Sequence, residues 1–265
     1  NIIFTKIVFK IIKMAENDIG DWFRSIPIVT RWWFSSSIAF PLLGRFGILK
    51  LYYMILNFHL VVYKFQIWRL FTSFVYLPLS PQNGFHYLIN LYFLYNYSTR
   101  LETGLYDGKP ADYLFMLVFN SIALILLGFA LNLMLLMDPL ILSVLYIWCQ
   151  INKDTIVSFW FGTQFKAMYL PWVLAAFNMI LGQGGLMEII GIFVGHLYFF
   201  LMFKYPQDFG GRRLITTPSI FYKYLPNRRG GVAGFGQAPA ARRNDGGGRG
   251  GGPVFPGGGN RLGGD

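Results

Sequence analysis

The stretch from Tyr113 to Leu131 limits this chain more than any other feature. Its nineteen consecutive residues include only Asn120 and Ser121 as strongly polar side chains. A run of that length and polarity matches the ~20 apolar residues that an α-helix needs to cross hydrocarbon, and further runs follow it. Candidate spans fall at roughly 30–49, 84–101, 112–131, 133–151, 167–183 and 186–203. Only 13% of the residues are charged and 54% are apolar. A soluble domain carries about 25% charged residues, so a water-soluble globule of 265 residues is not what this composition describes. The single cysteine, Cys149, excludes a disulfide framework or a cysteine-based zinc site, and reads as a small core residue. No cofactor or metal site is expected.

The net charge of +11 would suit a nucleic-acid partner if it covered a folded face. It does not. Residues 204–265 hold 10 of the 23 basic residues, 3 of the 12 acids and 17 of the 30 glycines. Gly/Arg/Pro sequence with so few aliphatic side chains cannot bury enough surface to offset its ordering entropy. The chain therefore divides into a membrane domain over 14–205 and a cytosolic connector with a disordered, basic, Gly-rich tail over 206–265. Arginines 228, 229, 242 and 243 suit anionic lipid headgroups or a protein partner, and nucleic acid is not expected. Residues 1–13, NIIFTKIVFKIIK, precede Met14 and lack the uninterrupted apolar core of a signal peptide. They read as a non-native upstream extension, with translation starting at Met14.

Basic residues orient the spans. The 2–3 connection carries Arg100 and Lys109, the 4–5 connection carries Lys153 and Lys166, and the 3–4 and 5–6 connections carry neither Lys nor Arg. Both termini are thus expected in the cytosol. The long, aromatic 1–2 connection falls on the far side and is expected to lie in the membrane interface. It contains Gln66, Trp68, Arg69 and Thr72, with Trp68 placed at headgroup level and Arg69 snorkelling beside it. Gly191 and Gly195 share one face of span 6 and let another helix approach closely. Asp138 and Glu188 fall near the far ends of their spans, where an acid reaches water. Arg100 and Glu102 are expected to hydrogen-bond the 2–3 loop.

The element Gln66-x-Trp68-Arg69-x-x-Thr72 resembles the first-loop signature of the rhomboid superfamily. Together with IGDWFRSIP, YSTRLETG, DGKPADYLFM and GHLYFFLMFKYP, it resembles the Derlin family, the inactive rhomboid branch of the endoplasmic reticulum. The resemblance covers about 18–265. It implies an all-α membrane protein of six helices in a rhomboid-like bundle, a component of endoplasmic-reticulum-associated degradation that helps misfolded proteins reach the cytosol. It also implies misfolded proteins, a membrane ubiquitin ligase complex and other Derlin copies as partners.

A rhomboid protease needs a serine nucleophile in a Gly-x-Ser setting on span 4 and a histidine base on span 6. Ser143 has no neighbouring glycine. His196, with His86 and Asn90 at i, i+4 on one face of span 2, therefore reads as an inherited polar cluster, and Ser143 as an interhelical hydrogen-bonding residue. An active intramembrane serine protease and a small-solute channel are the alternatives. The chain ends with Phe255, Gly257, Gly259 and Leu262 in the spacing Phe-x-Gly-x-Gly-x-x-Leu. This resembles the motif by which Derlins bind the valosin-containing AAA+ ATPase. Two apolar anchors with glycines between them suit an extended ligand lying close to its partner.

Overall fold

The computed structural model describes residues 18, 20–158, 162–180, 185–208 and 214–227. The expected extension at 1–13 and the Phe255–Leu262 motif lie outside them. The six longer helices among these residues are α1 (Ile28–Arg45), α5 (Gly84–Thr103), α6 (Pro110–Leu131), α7 (Met137–Ile151), α8 (Leu170–Ile180) and α9 (Leu186–Phe199). Each overlaps one of the expected spans. Three short helices fill the connection between α1 and α5: α2 (Leu51–Met54), α3 (Phe58–Val62) and α4 (Trp68–Val75). By length and composition, Pro110–Leu131 and Leu186–Asp208 are apolar enough to cross a membrane, while Met137–Ile151 and Ala167–Ile180 are shorter apolar helices.

Side-chain contacts set the direction of each helix. Thr30 meets Glu102, and Tyr87 meets Ser37, so α1 and α5 run antiparallel. Asn90 meets Asp138 near the starts of α5 and α7, and Tyr97 packs on Trp148 near their ends, so these two run parallel. Asn120 meets Ser143, and Gly128 meets Leu136, which sets α6 antiparallel to α7. Asn178, late in α8, meets Glu188, early in α9. Consecutive long helices therefore alternate in direction around α7, whose residues from Pro139 to Cys149 are buried throughout. A helix that is apolar on every side belongs at the centre of its bundle.

Two local defects in α1 are repaired from α5. Pro41 lies inside the helix and has no N–H, so the carbonyl four residues earlier, Ser37 O, loses its partner. The Tyr87 hydroxyl donates to that oxygen at 2.9 Å. The helix also begins after Pro27, with no side-chain cap of its own. Glu102 takes that role from 73 residues away. Its Oε1 accepts from Val29 N at 3.0 Å, and its Oε2 accepts from Thr30 N at 2.8 Å and Thr30 Oγ1 at 2.7 Å. A carboxylate there satisfies orphan amides and meets the positive end of the helix dipole.

Several boundaries differ from the sequence reading. Helix α1 ends at Arg45 because the chain turns through Gly47 at φ +75°. Helix α7 begins at Met137, four residues later than expected. Asn132 takes a left-handed conformation at φ 55°, and Leu136 N is bound to Ser73 O at 2.8 Å instead of starting a helix. The fifth helix begins at Leu170, after a single tight turn at Ala167–Tyr169, and is described as far as Ile180, while the sixth continues through a π-helical segment, Phe200–Lys204, into α10 (Tyr205–Asp208).

The architecture is not wholly helical. Strands β1 (Ile156–Ser158) and β2 (Gln164–Lys166) pair antiparallel in the register Ile156↔Lys166, Val157↔Phe165, Ser158↔Gln164. A Lys166–Asp154 ion pair of 3.1 Å lies beside them. The β-branched pair Ile156-Val157 and the positive φ of Gly162 are the local signals for this hairpin.

The connector after α10 folds back onto the bundle. Helix α11 (Ser219–Tyr224) packs on the start of α6, with Phe221 5.8 Å from Phe115 between ring centroids. Asp112 Oδ1 accepts from Thr217 Oγ1 at 2.6 Å and from the Tyr222 hydroxyl at 2.7 Å.

Candidate functional site

Span 4 carries the serine that a protease would need. Ser143 is completely buried, receives a hydrogen bond from Asn120 Nδ2 at 3.1 Å and donates to Leu140 O at 2.8 Å. It therefore joins α6 to α7. His196 makes its bond elsewhere, through Nδ1 to the Tyr146 hydroxyl at 2.8 Å. Among the described residues no hydrogen bond links Ser143 to His196, although a nucleophile and its base need heavy-atom separations of about 2.6–3.2 Å.

The two helices nevertheless lie very close. A Cβ on Gly191 would stand 2.6 Å from Pro139 O, and one on Gly195 would stand 2.7 Å from Ser143 O. Both glycines thus mark backbone-to-backbone contact between α9 and α7, where small residues permit an approach that larger ones would prevent.

At one end of the bundle the structure joins His86 and Asn90 to a third residue, Asp138. Asp138 Oδ1 accepts from Asn90 Nδ2 at 2.7 Å, and Oδ2 lies 3.1 Å from His86 Nε2. His196 is not part of this cluster. Glu188 stands nearby, with Oε1 accepting from Asn178 Nδ2 and Oε2 buried without a partner among the described residues. The expectation that Asp138 and Glu188 simply reach water is corrected. Asp138 bridges two helices, and Glu188 is only 6% exposed, because α5, α8 and α9 close around the start of α7. Neither acid stands out in the sequence, where each is one polar residue at the edge of an apolar run.

The Trp-Arg element also differs from its expected form. Trp68 is 48% exposed, but Arg69 is 0% exposed and does not snorkel. Its Nε donates to Gln66 Oε1 at 2.7 Å, and Nη1 donates to Tyr52 O at 2.6 Å and Ile55 O at 2.8 Å. Thr72 Oγ1 donates to Met54 O at 3.0 Å. The short helix α2 ends in carbonyls with no helical partner, and the planar guanidinium fork can serve several of them together. Its carbon also lies 5.1 Å from the centre of the Tyr52 ring. Gln66, Arg69 and Thr72 thus knit the loop, while its exterior carries Tyr53, Phe58, Tyr63, Phe65, Trp68 and Phe71 exposed.

Arg100 and Glu102 are corrected as well. Neither side chain bonds the following loop among the described residues. Arg100 stacks on Trp148 and Tyr97 at 5.2 and 5.8 Å, and Glu102 caps α1. Behind Glu102, Ser98 Oγ lies 2.6 Å from Thr30 Oγ1 and 2.5 Å from the Tyr113 hydroxyl, so the network ties α1, α5 and α6 together. In the loop after α5, burial raises the Tyr106 phenol well above its ordinary range, and its hydroxyl pairs with that of Tyr198 at 3.1 Å.

Apolar helices of alternating direction, joined by buried polar clusters and faced by an apolar loop, define a helical chain of membrane-protein type. Its serine and histidine are held by other partners. The family model described as the Der1-like family matches residues 26–219. The chain is 58% identical to Derlin-1 of Mus musculus over 238 residues, covering 88% of this chain and 95% of that protein. It is 52% identical to Derlin-1 of Caenorhabditis elegans over 217 residues, 82% of this chain and 88% of the relative. For Drosophila melanogaster Derlin-1 the figures are 45% over 225 residues, 85% and 91%. The chain belongs to the Der1-like family.

Proposed function

We propose that this protein is a non-catalytic component of endoplasmic-reticulum-associated degradation. It assists the passage of misfolded lumenal and membrane proteins to the cytosol and recruits the valosin-containing AAA+ ATPase through its tail. The observation that carries this reading is similarity to Derlin-1 over 88% of the chain. The bonding of Ser143 to Leu140 and of His196 to Tyr146 favours a pseudoenzyme over an intramembrane protease.

In this reading all six long helices cross the endoplasmic reticulum membrane, both termini face the cytosol, and the apolar face of α2–α4 lies among lipid headgroups. Helix α7, with 15 residues, reaches only about 22 Å at ~1.5 Å per residue, against ~30 Å of hydrocarbon. Short helices carrying buried polar groups thin the bilayer locally and lower the cost of moving polar backbone through it. Other Derlin copies and a membrane ubiquitin ligase complex complete the assembly.

Pulling force then comes from the ATPase, docked on Phe255, Gly257, Gly259 and Leu262. The test is the affinity of a 245–265 peptide for the ATPase N-domain. Binding that weakens by about tenfold or more in both Phe255→Ala and Leu262→Ala peptides supports the reading. Absence of binding by the unsubstituted peptide refutes recruitment through the tail.

A further inference from the structure

A cavity of about 30 Å³ lies among α5, α7, α8 and α9 and is lined by Asn90, Asp138, Leu174, Phe177, Asn178 and Glu188. That space is enough to admit a water or a small polar group. Its polar lining is acceptor-rich. The side-chain nitrogens of Asn90 and Asn178 already face carboxylates, and both oxygens of Asp138 are engaged by His86 and Asn90. Within this lining Glu188 Oε2 is the buried side-chain atom left without a partner among the described residues, on a residue 6% exposed. A buried carboxylate oxygen without a donor carries a desolvation cost that a cationic donor would offset.

We propose that this cavity binds a primary ammonium group, held by Glu188 Oε2 with Asp138 as the second anionic neighbour. The chemistry follows from charge and donor geometry together. Two carboxylates repel anions, a quaternary ammonium has no proton to donate, and a guanidinium offers its donors as a planar fork that a single free carboxylate oxygen cannot meet in pairs. A primary ammonium carries three donors and no acceptor, which matches a lining whose donors are already committed. Two sources present this group near a membrane: the lysine side chain of a polypeptide and the ethanolamine headgroup of a phospholipid. The first rests on the proposed role in handling misfolded proteins; the ammonium chemistry does not.

The full chain in phosphatidylcholine nanodiscs provides the test. Methylammonium is expected to raise its unfolding temperature in a saturable manner, whereas tetramethylammonium and guanidinium do not. Glu188→Gln keeps an oxygen for Asn178 and removes the charge, so it is expected to fold and to weaken methylammonium binding by about tenfold or more. Asp138→Asn serves as a second variant and weakens it less. An equal response to all three cations, or one unchanged by Glu188→Gln, overturns the inference and leaves the cavity to water.

A second arm separates the sources. Benzoylphenylalanine in place of Phe177 is expected to crosslink an otherwise apolar transmembrane peptide bearing one lysine, but not its norleucine or arginine counterpart. If methylammonium binds and the lysine peptide does not crosslink, while phosphatidylethanolamine in the nanodisc displaces methylammonium, the ammonium is the headgroup's. The cavity's chemistry then stands and polypeptide capture fails. If methylammonium binds and neither source competes for the cavity, the assignment to a membrane-borne ammonium is contradicted.

Discussion

The Tyr87 hydroxyl donates at 2.9 Å to the carbonyl of Ser37, the oxygen that Pro41 leaves without an N–H partner. A proline inside an apolar helix is thus compensated from a neighbouring helix, and α1 and α5 are fixed against each other by the repair. Tyr87→Phe leaves the carbonyl unserved and is expected to cost about 1–3 kcal/mol. Adding Pro41→Ala restores a backbone donor and should recover most of the loss. Denaturation of the two variants in detergent micelles measures this. Equal stability of the single and double variants would count against the repair.

Glu102 caps α1 with three accepted hydrogen bonds. Glu102→Ala is expected to destabilise the protein by about 1–2 kcal/mol or more. Hydrogen exchange should quicken first at Val29 and Thr30. Exchange that changed only in the α5–α6 loop would instead return Glu102 to the loop role that its sequence position suggests.

Gly195→Val places its Cβ 2.7 Å from a backbone oxygen that cannot step aside. Gly84→Ala, where nothing lies within 4 Å, is the matched control. Overpacking of this kind costs typically 1–3 kcal/mol, so Gly195→Val should lower the yield of folded protein in micelles while Gly84→Ala does not. Equal yields would remove the contact between α9 and α7 as a determinant of the fold.

Asp112 holds the connector through Thr217 and Tyr222. Asp112→Ala is expected to free residues 214–227 and speed their cleavage by added protease several-fold, with the bundle intact. A Tyr222→Phe variant, which keeps the Thr217 bond, should fall between. Unchanged cleavage in Asp112→Ala would show that Phe115 and Phe221 hold the segment without it.

The apolar runs placed all six long helices, because burial in hydrocarbon or in a helical core writes the same signal along the chain. The ends of those helices were harder to read. The delayed start of α7 depends on Leu136 bonding to Ser73, a partner 63 residues away, and no local pattern carries that information. Site residues divide in the same way. The spacing of Gly191 and Gly195 made their face visible, whereas Arg69 is buried by loop carbonyls, Glu102 by an uncapped helix and Glu188 by its neighbours. For each of these the deciding partner lies elsewhere in the fold. The polar cluster was half visible: His86 and Asn90 announce themselves at i, i+4, but Asp138 joins them only once α5 and α7 run side by side.

The most direct test of the proposed function is the half-life of a misfolded lumenal glycoprotein in cells depleted of their own Derlins and supplied with this chain. The unsubstituted protein and Ser143→Ala should shorten that half-life equally, while the Phe255→Ala, Leu262→Ala double variant should not shorten it. Loss of clearance in Ser143→Ala at normal abundance, or full clearance by the tail variant, would contradict a non-catalytic link to a cytosolic ATPase.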